Sequence, residues 1–283
     1  MEIKTVGVVG CGLMGSGIVE TCARSGYAVI VREPTEELLA KGLSRLRGSL
    51  ARGVERGKIS QVDADEALAR VKGTTRLEEF APCDLVIEAA VENMALKKEI
   101  FSALDRVCAP QAILASNTSS LCVMEMASVT KRPDKVLGMH FFNPVPVMKL
   151  LEFVRTIATS DETMETARRF GASLGKTMIT AKDTPGFIVN VLLVPYLLDA
   201  VRLLENGVAT KEDIDAGMQL GCNHPMGPLT LADFVGLDTA LFIADAMYDE
   251  FKDPRYAAPP LLRRMVLAGW LGRKTGRGFY TYS

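Results

Sequence analysis

The chain contains only two histidines, His140 and His224, so few side chains could exchange a proton near neutral pH. His140 opens the segment His140-Phe141-Phe142-Asn143-Pro144-Val145-Pro146, and Glu152 follows within the apolar segment Leu150-Leu151-Glu152-Phe153-Val154. A carboxylate in such a segment is costly to bury without a partner. If the chain reverses near its two prolines, Glu152 can contact His140, fix its tautomer and stabilise the imidazolium.

Taken alone, each residue also fits a structural role, His140 as a strand-end histidine and Glu152 as part of an ion pair. His224 opens the turn His224-Pro225-Met226-Gly227-Pro228, whose prolines favour a helix-connecting role. The polar segment Ser116-Asn117-Thr118-Ser119-Ser120 follows the apolar strand candidate Ala112–Ala115. It is therefore expected at the sheet edge where open α/β sheets bind ligands, although a helix-capping turn uses the same residue types.

A glycine-rich segment near the N-terminus, Gly10-Cys11-Gly12-Leu13-Met14-Gly15, has the spacing G-x-G-x-x-G. Between a strand and a helix, Gly10 permits the tight turn, Gly12 lets backbone amides approach a pyrophosphate, and Gly15 allows close helix–strand packing. A glycine-rich turn without a ligand can show the same spacing. The order of strand, loop and helix favours a dinucleotide site that includes Leu13 and Met14.

Glu33 ends the next β-rich segment and is the candidate reader of the ribose. Its carboxylate can accept hydrogen bonds from a ribose 2′-hydroxyl and repel a 2′-phosphate, which favours NAD over NADP. The neighbouring Arg32 leaves the alternative open, because an arginine there could hold a 2′-phosphate or be a solvated surface charge.

These residues need a parallel sheet to position them, and the first half of the chain alternates between strand and helix patterns. Between Pro34 and Arg70 no strand is predicted, and Glu36–Gly53 and Gln61–Val71 have helical spacing, separated by a break at Gly53–Gly57. We therefore expect an α/β fold with a helical hairpin inserted after the second strand. The predicted strands are Thr5–Val9, Tyr27–Val31, Asp84–Glu88, Ala112–Ala115 and Lys135–His140, with a helix at Ala95–Cys108.

The remainder of the chain is predicted to be all-α, which suggests a nucleotide-binding domain over 1–184 and a helical domain over 185–283. The predicted helices are Phe187–Glu205, Lys211–Leu220, Leu229–Val235, Thr239–Glu250 and Leu261–Ala268.

The composition agrees with two packed domains, because 48% of the 283 residues are hydrophobic. The 33 basic residues nearly balance the 34 acidic ones, so no nucleic-acid or membrane partner is expected. The six cysteines form no C-x-x-C pair, which predicts no metal site and, with no leader pattern at the N-terminus, a cytoplasmic protein.

Seven segments, in order from about residue 5 to the end, resemble the 3-hydroxyacyl-CoA dehydrogenase family, in particular its bacterial 3-hydroxybutyryl-CoA members. The departures are small: Cys11 replaces the commoner alanine, and Glu33 the commoner aspartate. The segments are the glycine loop, Val91-Glu92-Asn93, Ser116–Ser120, His140–Pro146, Asp183–Asn190, His224–Pro228 and Gly276–Tyr280.

The resemblance implies a Rossmann-like N-terminal domain, a helical dimer-forming domain, and NAD-dependent interconversion of (S)-3-hydroxyacyl-CoA and 3-oxoacyl-CoA. It implies that His140 and Glu152 carry the proton and that Ser119 and Asn190 bind the substrate oxygen. A short acyl chain, as in acetoacetyl-CoA, is the expected substrate. Cofactor contacts are implied for Glu92, Lys97, Asn117 and Asn143.

The hairpin is rich in basic residues, and in the family this region holds the nucleotide end of coenzyme A. Ser49 and Arg56 are the expected contacts, although a solvated helical face would have the same charge pattern. Two other functions remain open: a dehydrogenase of a hydroxy acid not linked to CoA, such as a sugar acid, and a non-catalytic NAD-binding protein of this fold. The basic residues are Lys41, Arg45, Arg47, Arg52, Arg56 and Lys58, against Glu55 alone.

Overall fold

The computed structural model describes residues 1–282 and divides into two compact units, Met1–Asp183 and a second unit that starts at Thr184. In the first unit an eight-stranded sheet has the order β3-β2-β1-β4-β5-β6-β7-β8. All neighbouring strands are parallel except β6 and β7, which are antiparallel. The strands are β1 Thr5–Val9, β2 Ala28–Arg32, β3 Val71–Thr74, β4 Leu85–Glu88, β5 Ile113–Ser116, β6 Val136–Phe141, β7 Leu150–Arg155 and β8 Thr177–Lys182.

The chain order reverses between β1 and β4, and in doubly wound sheets ligands bind beyond the carboxyl ends of the strands at such a point. The central strands are buried on both faces, and their sequences are therefore continuously apolar rather than alternating between apolar and polar residues. The helices of this unit are α1 Leu13–Arg24, α2 Glu36–Glu55, α3 Gln61–Ala69, α4 Met94–Val107, α5 Val123–Ala127 and α6 Asp161–Ser173.

The second unit is helical and has its own apolar core. Asp233 holds the C-terminal segment in place. Its carboxylate accepts the backbone N–H groups of Phe279 and Tyr280, each at 2.9 Å. No helix within residues 1–282 combines the length and apolar character that a bilayer crossing needs. The helices are α7 Val189–Glu205, α8 Lys211–Cys222, α9 Pro228–Val235, α10 Leu237–Phe251 and α11 Pro260–Leu267.

The α/β class and the inserted hairpin are confirmed, but three local expectations were wrong. Two edge strands, β3 and β8, were missed because both are half-exposed, and β3 contains a lysine and a glycine. Gly53 does not break the hairpin: α2 continues to Glu55, and the side chain of Ile59 packs where a Cβ of Gly53 would point.

Candidate active site

His140 and Glu152 form a buried pair. Nδ1 of His140 lies 2.9 Å from Oε2 of Glu152, whose side chain is 0% exposed. Nε2 of His140 lies 3.2 Å from Oγ of Ser119. The imidazole therefore has a carboxylate on one nitrogen and a hydroxyl on the other, which is the arrangement that proton transfer to or from a substrate oxygen requires.

The register of the two antiparallel strands explains this contact. The chain reverses after β6, and His140 stands directly opposite Glu152 in the β6–β7 ladder, as the prolines led us to expect. Directly opposed residues have neighbouring side chains on one face of the sheet. The pairing is thus set by the backbone, and the Asn143–Pro144 peptide bond in the connecting loop is cis.

Ser119 lies in the loop after β5, where side-chain hydrogen bonds hold the backbone. Oε1 of Glu92 accepts the backbone N–H of Ser119 at 3.0 Å and also the hydroxyl of Thr118. Oγ of Ser116 accepts the backbone N–H of Thr118 at 3.2 Å. The loop is therefore positioned from its own β5 strand and from the segment after β4.

Lys97 and Glu92, both expected to contact the cofactor, belong to an ion cluster with Glu88. Nζ of Lys97 lies 2.7 Å from Oε1 of Glu88 and 3.0 Å from Oε2 of Glu92. Oγ of Ser116 donates to Oε2 of Glu88 at 2.6 Å. Sequence reasoning missed Glu88, although an acidic residue at the end of a buried strand was a usable signal.

The two asparagines differ in their surroundings. Oδ1 of Asn117 accepts the backbone N–H of Phe141 at 2.9 Å, which connects the end of β5 to the residue after His140. Asn143 is exposed in the loop that follows β6. Asn190 belongs to the second unit, where it lies in the first turn of α7 and is 8% exposed.

The glycine loop fits a dinucleotide. Gly10 has a φ of +96°, and a Cβ at Gly15 would lie 1.9 Å from the carbonyl oxygen of Gly10, so neither position accepts a larger residue. A Cβ at Gly12 would meet no atom within 4 Å, and no side chain among the described residues caps α1. The space over Gly12 and the first N–H groups of α1, at Leu13 and Met14, match what a pyrophosphate needs.

Glu33 reaches the same loop, because its carboxylate accepts the backbone N–H of Cys11. Burial and the nearby Glu33 carboxylate raise the pKa of the Cys11 thiol to about 11, so this thiol adds no negative charge beside the phosphate position. Nε of Arg32 donates to the carbonyl oxygen of Thr75 at 3.3 Å, a contact that directs the guanidinium toward β3. Nη1 of Arg45 donates to the carbonyl oxygen of Cys11 at 3.1 Å.

A basic cavity lies beside the hairpin. It has a volume of about 440 Å³, and Ser49 and Arg56 line it together with Arg24, Arg52 and Lys58. The opposite wall comes from the proline-rich loop after His140, including Pro144 and Pro146. Sequence reasoning did not identify Arg24, because it belongs to α1 rather than to the hairpin.

The other histidine, His224, lies in the second unit, and its Nδ1 is 3.1 Å from the hydroxyl of Tyr196. Among the described residues, His140 thus has a carboxylate and a hydroxyl partner and lies near the carboxyl end of β6. The sheet and the glycine loop define a class: dinucleotide-binding proteins of doubly wound α/β architecture.

Comparisons with known proteins narrow this class. Residues 5–184 match the model of the 3-hydroxyacyl-CoA dehydrogenase NAD binding domain, and residues 186–282 match that of its C-terminal domain. The chain therefore belongs to the 3-hydroxyacyl-CoA dehydrogenase family, and it is an NAD-dependent oxidoreductase of 3-hydroxyacyl-CoA.

A 3-hydroxybutyryl-CoA dehydrogenase of Mycobacterium tuberculosis is 53% identical over 282 residues, which cover 99% of each chain. The crystal structure of FadB2 from M. tuberculosis has a TM-score of 0.99 at 53% identity and full coverage of both chains. The crystal structure of (S)-3-hydroxybutyryl-CoA dehydrogenase PaaH1 from Ralstonia eutropha has a TM-score of 0.95 at 47% identity, again with full coverage.

Proposed function

We propose that this protein interconverts short-chain (S)-3-hydroxyacyl-CoA and 3-oxoacyl-CoA, with 3-hydroxybutyryl-CoA and acetoacetyl-CoA as the preferred pair. The observation that carries the proposal is the Ser119–His140–Glu152 contact near the carboxyl end of β6. The names of the similar proteins support the short chain length.

In the oxidation, His140 accepts the proton of the substrate hydroxyl at Nε2. Glu152 keeps Nδ1 protonated beforehand and stabilises the imidazolium that forms. In the reduction the same imidazolium returns the proton, so the pair serves both directions. NAD, when bound, supplies the hydride acceptor or donor.

Ser119 and Asn190 are proposed to hydrogen-bond the 3-oxygen of the substrate. A hydroxyl and an amide N–H can donate to an oxygen that gains negative charge during hydride transfer. The proposed cofactor contacts are Gly10, Gly12, Leu13, Met14, Gly15, Glu33, Glu92, Lys97, Asn117 and Asn143.

The basic cavity is proposed to hold the phosphates of coenzyme A, with Ser49 and Arg56 as contacts. Arginine and a serine hydroxyl are suited to phosphate oxygens. Arg52 and Lys58 line the same cavity and add positive charge. This cavity favours a CoA thioester over a free hydroxy acid.

The first experiment is to follow NADH absorbance when purified protein is mixed with acetoacetyl-CoA. NADPH and free acetoacetate serve as controls. Loss of NADH with the thioester alone is the expected result. No loss with any pair, from folded protein that binds NADH, would contradict the proposed substrate and favour a hydroxy acid without CoA or a non-catalytic role.

We also propose a domain division at 1–184 and 185–283, a homodimer and a cytoplasmic location. Exposed apolar side chains in the second unit, such as Leu220 and Leu267, support a subunit interface. Light scattering after size-exclusion chromatography measures the mass in solution, and a monomer at micromolar concentration would contradict the dimer.

A further inference from the structure

Glu88 has no part in the chemistry proposed above, yet it belongs to a buried ion cluster with Lys97 and Glu92. The side chain of Glu88 is 0% exposed, and that of Lys97 is 1% exposed. Both oxygens of Glu88 contact Nζ of Lys97, at 2.7 and 2.8 Å. Such burial of charge costs more free energy than a well-packed apolar cluster of the same volume, so stability alone is a weak explanation for it.

The cluster is connected to the reacting side chains through Glu92. Its Oε2 lies 3.0 Å from Nζ of Lys97, and its Oε1 accepts the backbone N–H of Ser119 at 3.0 Å. Oγ of the same serine lies 3.2 Å from Nε2 of His140. Contacts therefore run without interruption from Glu88 through Lys97 and Glu92 to Ser119 and His140.

Glu88 determines how Lys97 shares its charge. With Glu88 ionised, the ammonium contacts three carboxylate oxygens, and only one of them belongs to Glu92. If Glu88 were neutral, Glu92 would be the remaining anionic partner, and Lys97 would draw that carboxylate away from Ser119.

We propose that Glu88 is a positioning residue for the dehydrogenase reaction: through Lys97 it fixes Glu92 on the backbone of Ser119 and thereby places the Ser119 hydroxyl beside His140. This inference rests on the roles proposed above for Ser119 and His140. Ser116 supports Glu88 with a hydrogen bond of 2.6 Å from its hydroxyl.

The test is a double-mutant cycle between Glu88→Gln and Ser119→Ala, measured on acetoacetyl-CoA reduction. Glu88→Gln keeps the size of the side chain and removes its charge. We expect kcat at saturating NADH to fall about tenfold, while KM for acetoacetyl-CoA changes less than about twofold. In the Ser119→Ala background the same change should alter kcat by less than about twofold, since the residue it acts through is gone.

Asp105→Asn is the matched control. Asp105 lies on the same helix as Lys97 and forms a nearly buried ion pair with Arg132, at 2.7 Å, outside the proposed site. We expect this variant to lower the unfolding temperature and leave kcat unchanged. If Glu88→Gln behaves in the same way, or lowers kcat by equal factors with and without Ser119, the positioning role is wrong.

A second variant keeps the test decisive if Glu88→Gln does not fold. Ser116→Ala removes one hydrogen bond to Glu88 and also the acceptor of the backbone N–H of Thr118, so it should lower kcat about two- to fivefold, again only when Ser119 is present. An unchanged kcat would overturn the inference. If Ser119→Ala alone leaves kcat unchanged, the failure belongs instead to the role proposed for Ser119.

Discussion

The pair of His140 and Glu152 and the basic cavity beside the hairpin are both proposed to serve one substrate, yet they are built differently. The pair is buried, its two atoms lie 2.9 Å apart, and strand register fixes it. The cavity is lined by exposed cations such as Arg52 and Arg56. Proton transfer depends on distance and direction, whereas attraction of phosphates depends mainly on charge. Substitutions in the first region should therefore lower turnover, and those in the second should weaken binding.

The largest effect is expected for His140→Ala. Without a proton acceptor or donor beside the substrate oxygen, kcat should fall by about 10²-fold or more, while NADH affinity stays nearly intact. His224→Ala is the matched control, since that side chain contacts Tyr196 in the second unit. Stopped-flow reduction and NADH fluorescence measure the two quantities. Comparable turnover in His140→Ala would remove the assignment of the base.

Glu152→Gln should lower kcat about tenfold to a hundredfold, because a neutral amide no longer stabilises the imidazolium. Stopped-flow reduction of acetoacetyl-CoA measures this loss. An unchanged kcat would mean that Glu152 supports the strand rather than the proton transfer.

The same contrast explains how much the sequence could reveal. His140 and Glu152 were predictable because each is an unusual residue in an apolar segment, and the prolines between them indicated a reversal. The register that pairs them is a property of the assembled β6–β7 ladder and was not predictable in detail. The glycine loop could be recognised because each of its three glycines is required at its position for a different steric reason.

Other features depended on contacts distant in sequence. Glu88 resembled any charged residue at a strand end, and only the fold shows that Lys97 contacts both of its oxygens and Ser116 one of them. Arg24 joins the basic cavity from another helix. Edge strand β8 was missed because its residues alternate weakly and stay half-exposed. Local pattern thus identified the central strands β1, β4, β5 and β6 better than the edges.

Glu33→Ala should have an effect smaller than that of the changes at His140 and Glu152 and larger than that of a change in the basic cavity. Glu33 makes a fixed contact to the glycine loop, but it also acts on the cofactor through its charge. Removal of the carboxylate takes away the hydrogen bond to the ribose and the repulsion of a 2′-phosphate, so the preference for NADH over NADPH should fall about tenfold. Glu37→Ala, at an exposed position of α2, is the control. Unchanged discrimination in Glu33→Ala would show that another residue reads the ribose.

The smallest effect is expected for Arg56→Ala. KM for acetoacetyl-CoA should rise about three- to tenfold with kcat unchanged, because one exposed cation contributes only part of the attraction to phosphates. Arg47→Ala is the matched control, as Arg47 is exposed on α2, at whose end Arg56 lies, but does not line the cavity. The difference between the two variants should shrink as salt is raised from 50 to about 500 mM, since salt screens exposed charges. If both variants raise KM equally, the hairpin attracts CoA through its overall charge and the cavity has no specific contact. If Arg56→Ala lowers kcat instead, the cavity also orients the thioester, and the division between turnover and binding is less sharp than the two geometries suggest.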